Sequence, residues 1–300
     1  MVGKFNIDKE LIKGSNFVAP INRWVVFFGS FFAKLSPRGF NKKRVIVNDY
    51  KVGRTRFHVV SPRELLGKDA PCIFYIHGGG FMFRESKVMY QSEEEMAVKK
   101  GCRVISIDYD LTPMHKFPHQ INQCFDVYKY LLDHSEELKI DRSKIIMMGD
   151  SAGGSLVIDT FFKIRDENQI EPRGLLLLYP VVDNAMNTDS MKKYDDTPIW
   201  NNKSNRKMWK YYLGDKKYLS PLRKDLSNFP KTYIELAEYD CLHDEGMELY
   251  YKLANRGLYV SLNDTKGTYH GYDSHKEAQV TIDSLHKRMA FIDSCLDNPN

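Results

Sequence analysis

The stretch Ile145-Ile146-Met147-Met148-Gly149-Asp150-Ser151-Ala152-Gly153 constrains this chain more than any other. Its apolar start reads as a short buried strand. From Ala152 to about Ile164, apolar and small side chains recur at helical spacing (Leu156, Val157, Thr160, Phe161, Ile164). Only Gly149 to Gly153 is left to turn the strand into the helix. So tight a turn forces its central residue, Ser151, into a strained conformation, and the flanking glycines let neighbouring backbone close in. The Ser151 hydroxyl is thereby held clear of the sheet. Because Gly-x-Ser-x-Gly also arises by chance, the rest of the chain has to decide what the serine is for.

An activated serine needs a base, a group that orients the base, and donors for a developing oxyanion. After Ser151 comes the β-rich run Lys231-Thr232-Tyr233-Ile234-Glu235-Leu236-Ala237, then Glu238-Tyr239-Asp240, which places Asp240 on a loop just beyond a strand. Tyr259-Val260-Ser261-Leu262-Asn263 reads as a further strand. A polar loop holding His270-Gly271-Tyr272 follows, and a helix is expected from about Ser274. The order Ser, Asp, His matches one known chain order of a catalytic triad. His270 is expected to take the Ser151 proton while Asp240 holds the imidazole tautomer and stabilises the imidazolium. Rival residues fit less well. Asp244 and Glu245 fall in the first turn of a helix to Ala254, where acidic groups favour the dipole. His275 and His286 fall in the final helix and are expected to be solvated, and His58 lies in an early strand.

Oxyanion donors are expected from Pro71-Cys72-Ile73-Phe74-Tyr75-Ile76, a strand that runs into His77-Gly78-Gly79-Gly80-Phe81. Successive glycines expose backbone N–H groups with no side chains in the way. A phosphate-binding loop would need a Lys and a Ser or Thr directly after the glycines, whereas Phe81-Met82-Phe83 follows. The N–H groups of Gly79, Gly80 and Ala152 are therefore the expected oxyanion hole, with His77 bracing the loop by hydrogen bonding.

With these residues in place the chain resembles the hormone-sensitive-lipase-like esterases of the α/β-hydrolase fold, over roughly residues 45 to 290. The resemblance rests on His77 to Phe81, Asp108-Tyr109, Leu111, Pro113, His115, Phe117-Pro118 and Gly149 to Gly154. It continues through Tyr179-Pro180, Ser220-Pro221-Leu222, Asp240, Leu242, Asp244-Glu245 and His270-Gly271. It implies an α/β-hydrolase fold, hydrolysis of short- to medium-chain acyl esters through an acyl-enzyme, no cofactor, and a mobile cap over the site. The chain departs from the family pattern where Asp110 stands for an Arg, Met114 for a Glu, and His243 for an Arg. Asp110 thus places negative charge in a loop near the site.

The 300 residues, 42% hydrophobic, suffice for one large α/β core plus a cap. Alternation of strand and helix patterns from Cys72 onward, after strands near Val45-Lys51 and Thr55-Val60, argues a mostly parallel sheet with helices on both faces. The alternation breaks between Asp183 and about Lys217. That insertion and residues 1–42 are expected to form a helical cap on a single domain. Glu93-Glu94-Glu95 reads as the solvated start of a helix.

A formal charge of +5 with scattered basic residues argues against nucleic-acid binding. Five cysteines without a Cys-x-x-Cys fit reduced thiols in a cytoplasmic protein rather than a disulfide frame or zinc site. Pro118, between His115 and His119, argues against a metal-binding helix. The polar start of the chain, Met1 to Ile12, has no signal-peptide pattern. Trp24 to Ala33 is the most apolar stretch, but at about ten residues it falls short of the ~20 a spanning helix needs, so stable membrane insertion is not expected. It reads as a helix packed on the body or in the cap, with an interfacial helix as the alternative. The expected partner is a small-molecule ester, with a homodimer as a possible assembly. The same triad could instead serve acyl transfer or deacetylation of a natural-product ester. A binding protein on a dead hydrolase scaffold would have lost its nucleophile or base, and this chain keeps candidates for both.

Overall fold

The computed structural model describes residues 4–15, 18, 21–22 and 37–297. The Trp24 to Ala33 stretch, and with it most of the expected N-terminal part of the cap, lies outside the described residues. Eight strands make one sheet: β1 (Val45–Val52), β2 (Thr55–Pro62), β3 (Ala70–Ile76), β4 (Arg103–Asp108), β5 (Ile140–Asp150), β6 (Gly174–Leu178), β7 (Lys231–Tyr239) and β8 (Val260–Tyr269). Their order is β1-β2-β4-β3-β5-β6-β7-β8. β2 runs antiparallel to both β1 and β4, and every other pairing is parallel.

A mostly parallel sheet must be covered on both faces, and the central strands are accordingly apolar throughout. Side chains then divide by the two-residue period of a strand. Phe74, Ile76, Ile145, Met147, Leu175 and Leu177 enter one core, and Ile73, Tyr75, Ile146, Met148, Leu176 and Leu178 enter the other. The first core is closed by α2 (His119–Asp133), α4 (Ala152–Asp166) and α7 (His243–Ala254), through residues such as Val127, Leu156, Phe161 and Leu249. The second is closed by α1 (Lys87–Lys100) and α8 (Gln279–Leu296), through Met96, Ala97, Phe291 and Ile292. A short α3 (Ser135–Leu138) precedes β5.

Between β6 and β7 the insertion holds α5 (Asp189–Lys193) and α6 (Asn202–Leu213). Asn201 caps α6 by accepting from the Ser204 N–H. The α6 residues Met208, Trp209 and Tyr212 are buried, and Tyr212 stacks on Phe81 of the glycine loop with ring centroids 3.8 Å apart. The N-terminal segment meets the same insertion: Phe5 packs edge-on to Tyr194, and Val18 bridges Ile199.

Three local expectations are corrected. Glu93 and Glu94 are not a solvated helix start; they are buried in the middle of α1. Glu93 meets His58 at 2.7 Å, and Glu94 accepts from the Asn41 N–H and Arg44. The strand expected to end at Asn263 runs on to Tyr269, so His270 follows it directly instead of sitting in a polar loop. Its polar side chains are satisfied in place: Thr265 donates to the Leu236 carbonyl, and Asn263 bonds Glu235 and Ser284. The final helix starts at Gln279, after a 3₁₀ turn over Tyr272–Ser274. His275 therefore lies ahead of the helix, half-buried and 2.8 Å from the Tyr269 hydroxyl.

Candidate active site

The elbow forms because three chain segments leave Ser151 no relaxed alternative. Its φ of 54° and ψ of −122° are unusual for a non-glycine residue and store strain. Backbone bonds hold the strain in place: the Ser151 N–H donates to Leu178 at the end of β6, and the Ser151 carbonyl accepts from Val181. Gly153 must lack a side chain, since a Cβ there would stand 2.0 Å from the Ile76 carbonyl oxygen. Ser151 is also the cap residue of α4, so the positive end of that helix lies beside its hydroxyl.

Two more strand ends supply its partners. His270 Nε2 lies 2.9 Å from Ser151 Oγ, and His270 Nδ1 lies 2.6 Å from Asp240 Oδ2. Asp240 is fully buried, and its other oxygen accepts from the Leu242 N–H at 3.0 Å. The expected residues Ser151, Asp240 and His270 are thus brought into one chain of contacts. Asp244 is not part of it. It accepts from the Ser190 N–H at 2.7 Å and pairs with His243, while Glu245 accepts from the Val182 and Asp183 N–H groups.

The glycine loop faces the same serine. Gly79 and Gly80 both have positive φ, 94° and 61°, and Gly80 is additionally crowded by the Trp200 ring. Ala152, the first residue of α4, directly follows Ser151 and is buried. Among the described residues, no acceptor takes the N–H of Gly79, Gly80 or Ala152. His77 braces the loop as expected: its ring stacks on Tyr109 at 4.3 Å, and Nδ1 lies 2.8 Å from the Gly78 carbonyl. Burial pushes its imidazole below the ordinary range, consistent with a neutral strut.

Sequence reasoning missed several supports. Asp150, the variable residue of the elbow, accepts from the Tyr75 hydroxyl at 2.5 Å and from the Gly78 N–H at 3.1 Å, tying elbow to glycine loop. Burial pushes its carboxyl up to about 6. The Tyr109 hydroxyl donates to the His77 and Gly78 carbonyls. Tyr179 packs edge-on to His270 at 4.8 Å and donates to Asp273, which pairs with Arg288. None of these carries a local signal, because each partner lies far along the chain.

The cavity at Ser151 holds about 310 Å³. Apolar walls come from Val88, Met89, Met148, Leu178, Ile199 and Trp200, with Lys276 and Ser92 bonded to each other along one side. A wider surface hollow between Leu132–Asp141 and Asn168–Ile170 lies apart from Ser151, and its lining residues include none of the elbow, base or glycine-loop groups. Among the described residues two clusters carry metal-ligating side chains, Asp110 with His115 and His119, and His58 with Glu85 and Glu93; neither lines the Ser151 cavity.

The comparisons with known proteins agree with this architecture. A family model of the alpha/beta hydrolase fold matches residues 73–274. The chain belongs to that family, in its hormone-sensitive-lipase-like branch, and by class it is an esterase. An arylesterase of Saccharolobus solfataricus is 31% identical over 219 residues, covering 70% of this chain and 71% of its own. An alpha/beta hydrolase of Acanthamoeba polyphaga mimivirus is 29% identical over 238 residues, covering 77% and 68%. The solved structure titled bacterial heroin esterase superposes with a TM-score of 0.86 at 28% identity, covering 97% of this chain and 98% of that one. Among the described residues no helix is long and apolar enough to cross a membrane.

Proposed function

We propose that the chain hydrolyses small carboxylic esters through an acyl-enzyme on Ser151. The observation that carries this reading is the contact of Ser151 Oγ with His270 Nε2 at 2.9 Å, continued by His270 Nδ1 to Asp240 at 2.6 Å. Ser151 Oγ attacks the ester carbonyl while His270 takes its proton. Negative charge moves onto the carbonyl oxygen, where the N–H groups of Gly79, Gly80 and Ala152 and the α4 N-terminus stabilise it. Collapse breaks the ester C–O bond, and the alcohol leaves with the proton from His270. Water, deprotonated by His270, then attacks the acyl carbonyl, and the acid departs as Ser151 regains its proton. Asp240 keeps Nδ1 protonated throughout and offsets the imidazolium charge.

A cavity of about 310 Å³ is near the small end for ligand sites, which favours short to medium acyl groups. Each buried CH₂ adds roughly 0.8 kcal/mol only until the cavity is full. The insertion 183–217, with residues 1–42, would act as the cap that sets this limit, since Trp200 and Ile199 already wall the cavity. The arylesterase relative makes phenyl acetate a suitable first substrate. Two measurements test the reading: kcat/KM across p-nitrophenyl esters from acetate to palmitate, and intact mass after fluorophosphonate treatment. The expected outcome is a maximum at short or medium chains and one label, on Ser151. Activity rising to C16, or a label elsewhere, would overturn it. Product analysis with added alcohol and amine separates hydrolysis from acyl transfer.

A further inference from the structure

The loop between β4 and α2 carries a group of side chains that the ester chemistry does not use. His119 Nε2 lies 2.9 Å from Asp110 Oδ2, and His115 Nε2 lies 3.9 Å from the same oxygen. The two imidazole rings stack, with centroids 4.6 Å apart and planes 24° from parallel. One ligand atom from each residue falls within a 4.8 Å group. A plain hydrogen bond accounts for His119. It does not account for His115, whose nitrogen faces the same carboxylate from beyond hydrogen-bond reach. We infer that Asp110, His115 and His119 form a binding site for a divalent transition-metal ion of the zinc type.

The spacing suits such an ion. Tetrahedral zinc with bonds of about 2.0–2.1 Å sets neighbouring ligand atoms roughly 3.3–3.4 Å apart. The two observed separations from Asp110 Oδ2, 2.9 Å and 3.9 Å, fall on either side of that edge. Shifts of about half an ångström at flexible side chains would bring both separations to that edge, and the two imidazole nitrogens lie within 4.8 Å of each other. Two imidazoles and one carboxylate favour zinc, cobalt or nickel over the oxygen-seeking magnesium and calcium. The side chains are 39% (Asp110), 45% (His115) and 42% (His119) exposed, so water can complete the coordination.

The ligands are already held from behind. Gln123, buried in α2, accepts from the Asp110 N–H at 2.8 Å and donates to Asp110 Oδ2 at 3.0 Å. Gln120 donates to the Asp110 and His115 carbonyls. Such outer contacts orient metal ligands. Pro118 is no obstacle, because His115 precedes it and His119 opens α2, so the two need not share a helix. Asp110 also adjoins Tyr109, whose hydroxyl braces the glycine loop, and Thr112 donates to the Phe81 carbonyl. A bound ion would therefore tie down the segment that supports Gly79 and Gly80, from outside the catalytic cavity.

The test uses the full chain after chelator dialysis, titrated with Zn²⁺ by calorimetry and with Co²⁺ by visible absorption. One equivalent is expected, with cobalt bands of the intensity that four- or five-coordination produces. His119→Gln and Asp110→Arg should each weaken zinc binding by tenfold or more, the arginine placing a positive charge where the ion sits. His270→Ala should retain the site, which separates it from binding at the Ser151 cavity. Melting without metal checks that each variant folds, and His115→Gln replaces any that does not. Absence of zinc binding by the parent chain would overturn the inference. So would unchanged binding by His119→Gln and Asp110→Arg, or loss of the site with His270→Ala.

Discussion

Asp240–His270 and Glu93–His58 are both buried carboxylate–imidazole pairs, closed at 2.6 Å and 2.7 Å. They sit in different parts of the fold. Asp240 and His270 follow the C-terminal ends of β7 and β8, where the second imidazole nitrogen meets Ser151 beside a cavity. His58 lies inside β2, between β1 and β4, and Glu93 reaches it from α1. Burial pushes the Glu93 carboxyl up to about 8 and the His58 imidazole below its usual range, so at neutral pH this pair is largely uncharged. It pins a helix to a strand. The distance between an acid and a histidine therefore says little about catalysis; what the histidine's other face meets says much more.

The largest expected effect falls on the first pair. Ser151→Ala and His270→Ala should each lower kcat by at least ~10⁴-fold, and the double variant should lose little more, because the residues act as a unit. His58→Gln should keep kcat within about tenfold while lowering the melting temperature. Steady-state kinetics on phenyl acetate with parallel melts decides this, and a His58→Gln defect as deep as that of His270→Ala would erase the difference between the two pairs. Asp240→Asn should cost roughly 10⁴-fold by favouring the wrong tautomer.

Arg288→Met probes the charges behind His270. Arg288 is buried against Glu235 and Asp273, and losing one partner of such a group costs about 3–5 kcal/mol. Urea denaturation measures it, and a loss below ~1 kcal/mol would mean that water reaches Glu235.

The second pair should announce itself in the pH dependence of stability. Burial raises Glu85 and Glu93 from 4.5 to about 8. In the unfolded chain both ionise near 4.5, so between about pH 4.5 and 8 the folded state holds the extra protons. Their contribution is full below that window and is lost as pH rises through it, at roughly 1.4 kcal/mol per pH unit for each proton taken up. Glu93→Gln should flatten this fall, since glutamine has no proton to lose. Denaturation midpoints from pH 5 to 9 show it, and parallel curves for parent and variant would refute it. The smallest effect is expected from Asp244→Asn, less than tenfold in kcat, because Asp244 serves Ser190 and His243 instead of His270.

Much of the candidate site was legible before any coordinates. Ser151 and Asp240 each stand just after a strand-like run, His270 follows in a loop beyond a third, and the glycines of 78–80 stand after another, all in a telling order. Local chemistry writes such features into short stretches of chain: apolar runs for buried strands, glycine where backbone must pass close to backbone. Glu93 and Glu94 mislead a local reading for the same reason. A charged run looks solvated until a distant His58, Asn41 or Arg44 satisfies it. The polar residues Asp264 to Thr268 read as a loop from sequence because their partners on β7 are not local.

The sequence by itself determined the alternation of elements, the elbow and the residues able to act as nucleophile, base and orienter. Tertiary structure alone decided that Asp150 ties the elbow to the Gly78 N–H, that Tyr109 braces His77, and that Trp200 from the insertion crowds Gly80. It also decided which of two acid–histidine pairs faces a serine. Periodicity and turn chemistry act between residues a few positions apart, so one stretch of chain reveals them. Burial and long-range hydrogen bonds join residues scores of positions apart, and these come together only when the sheet does.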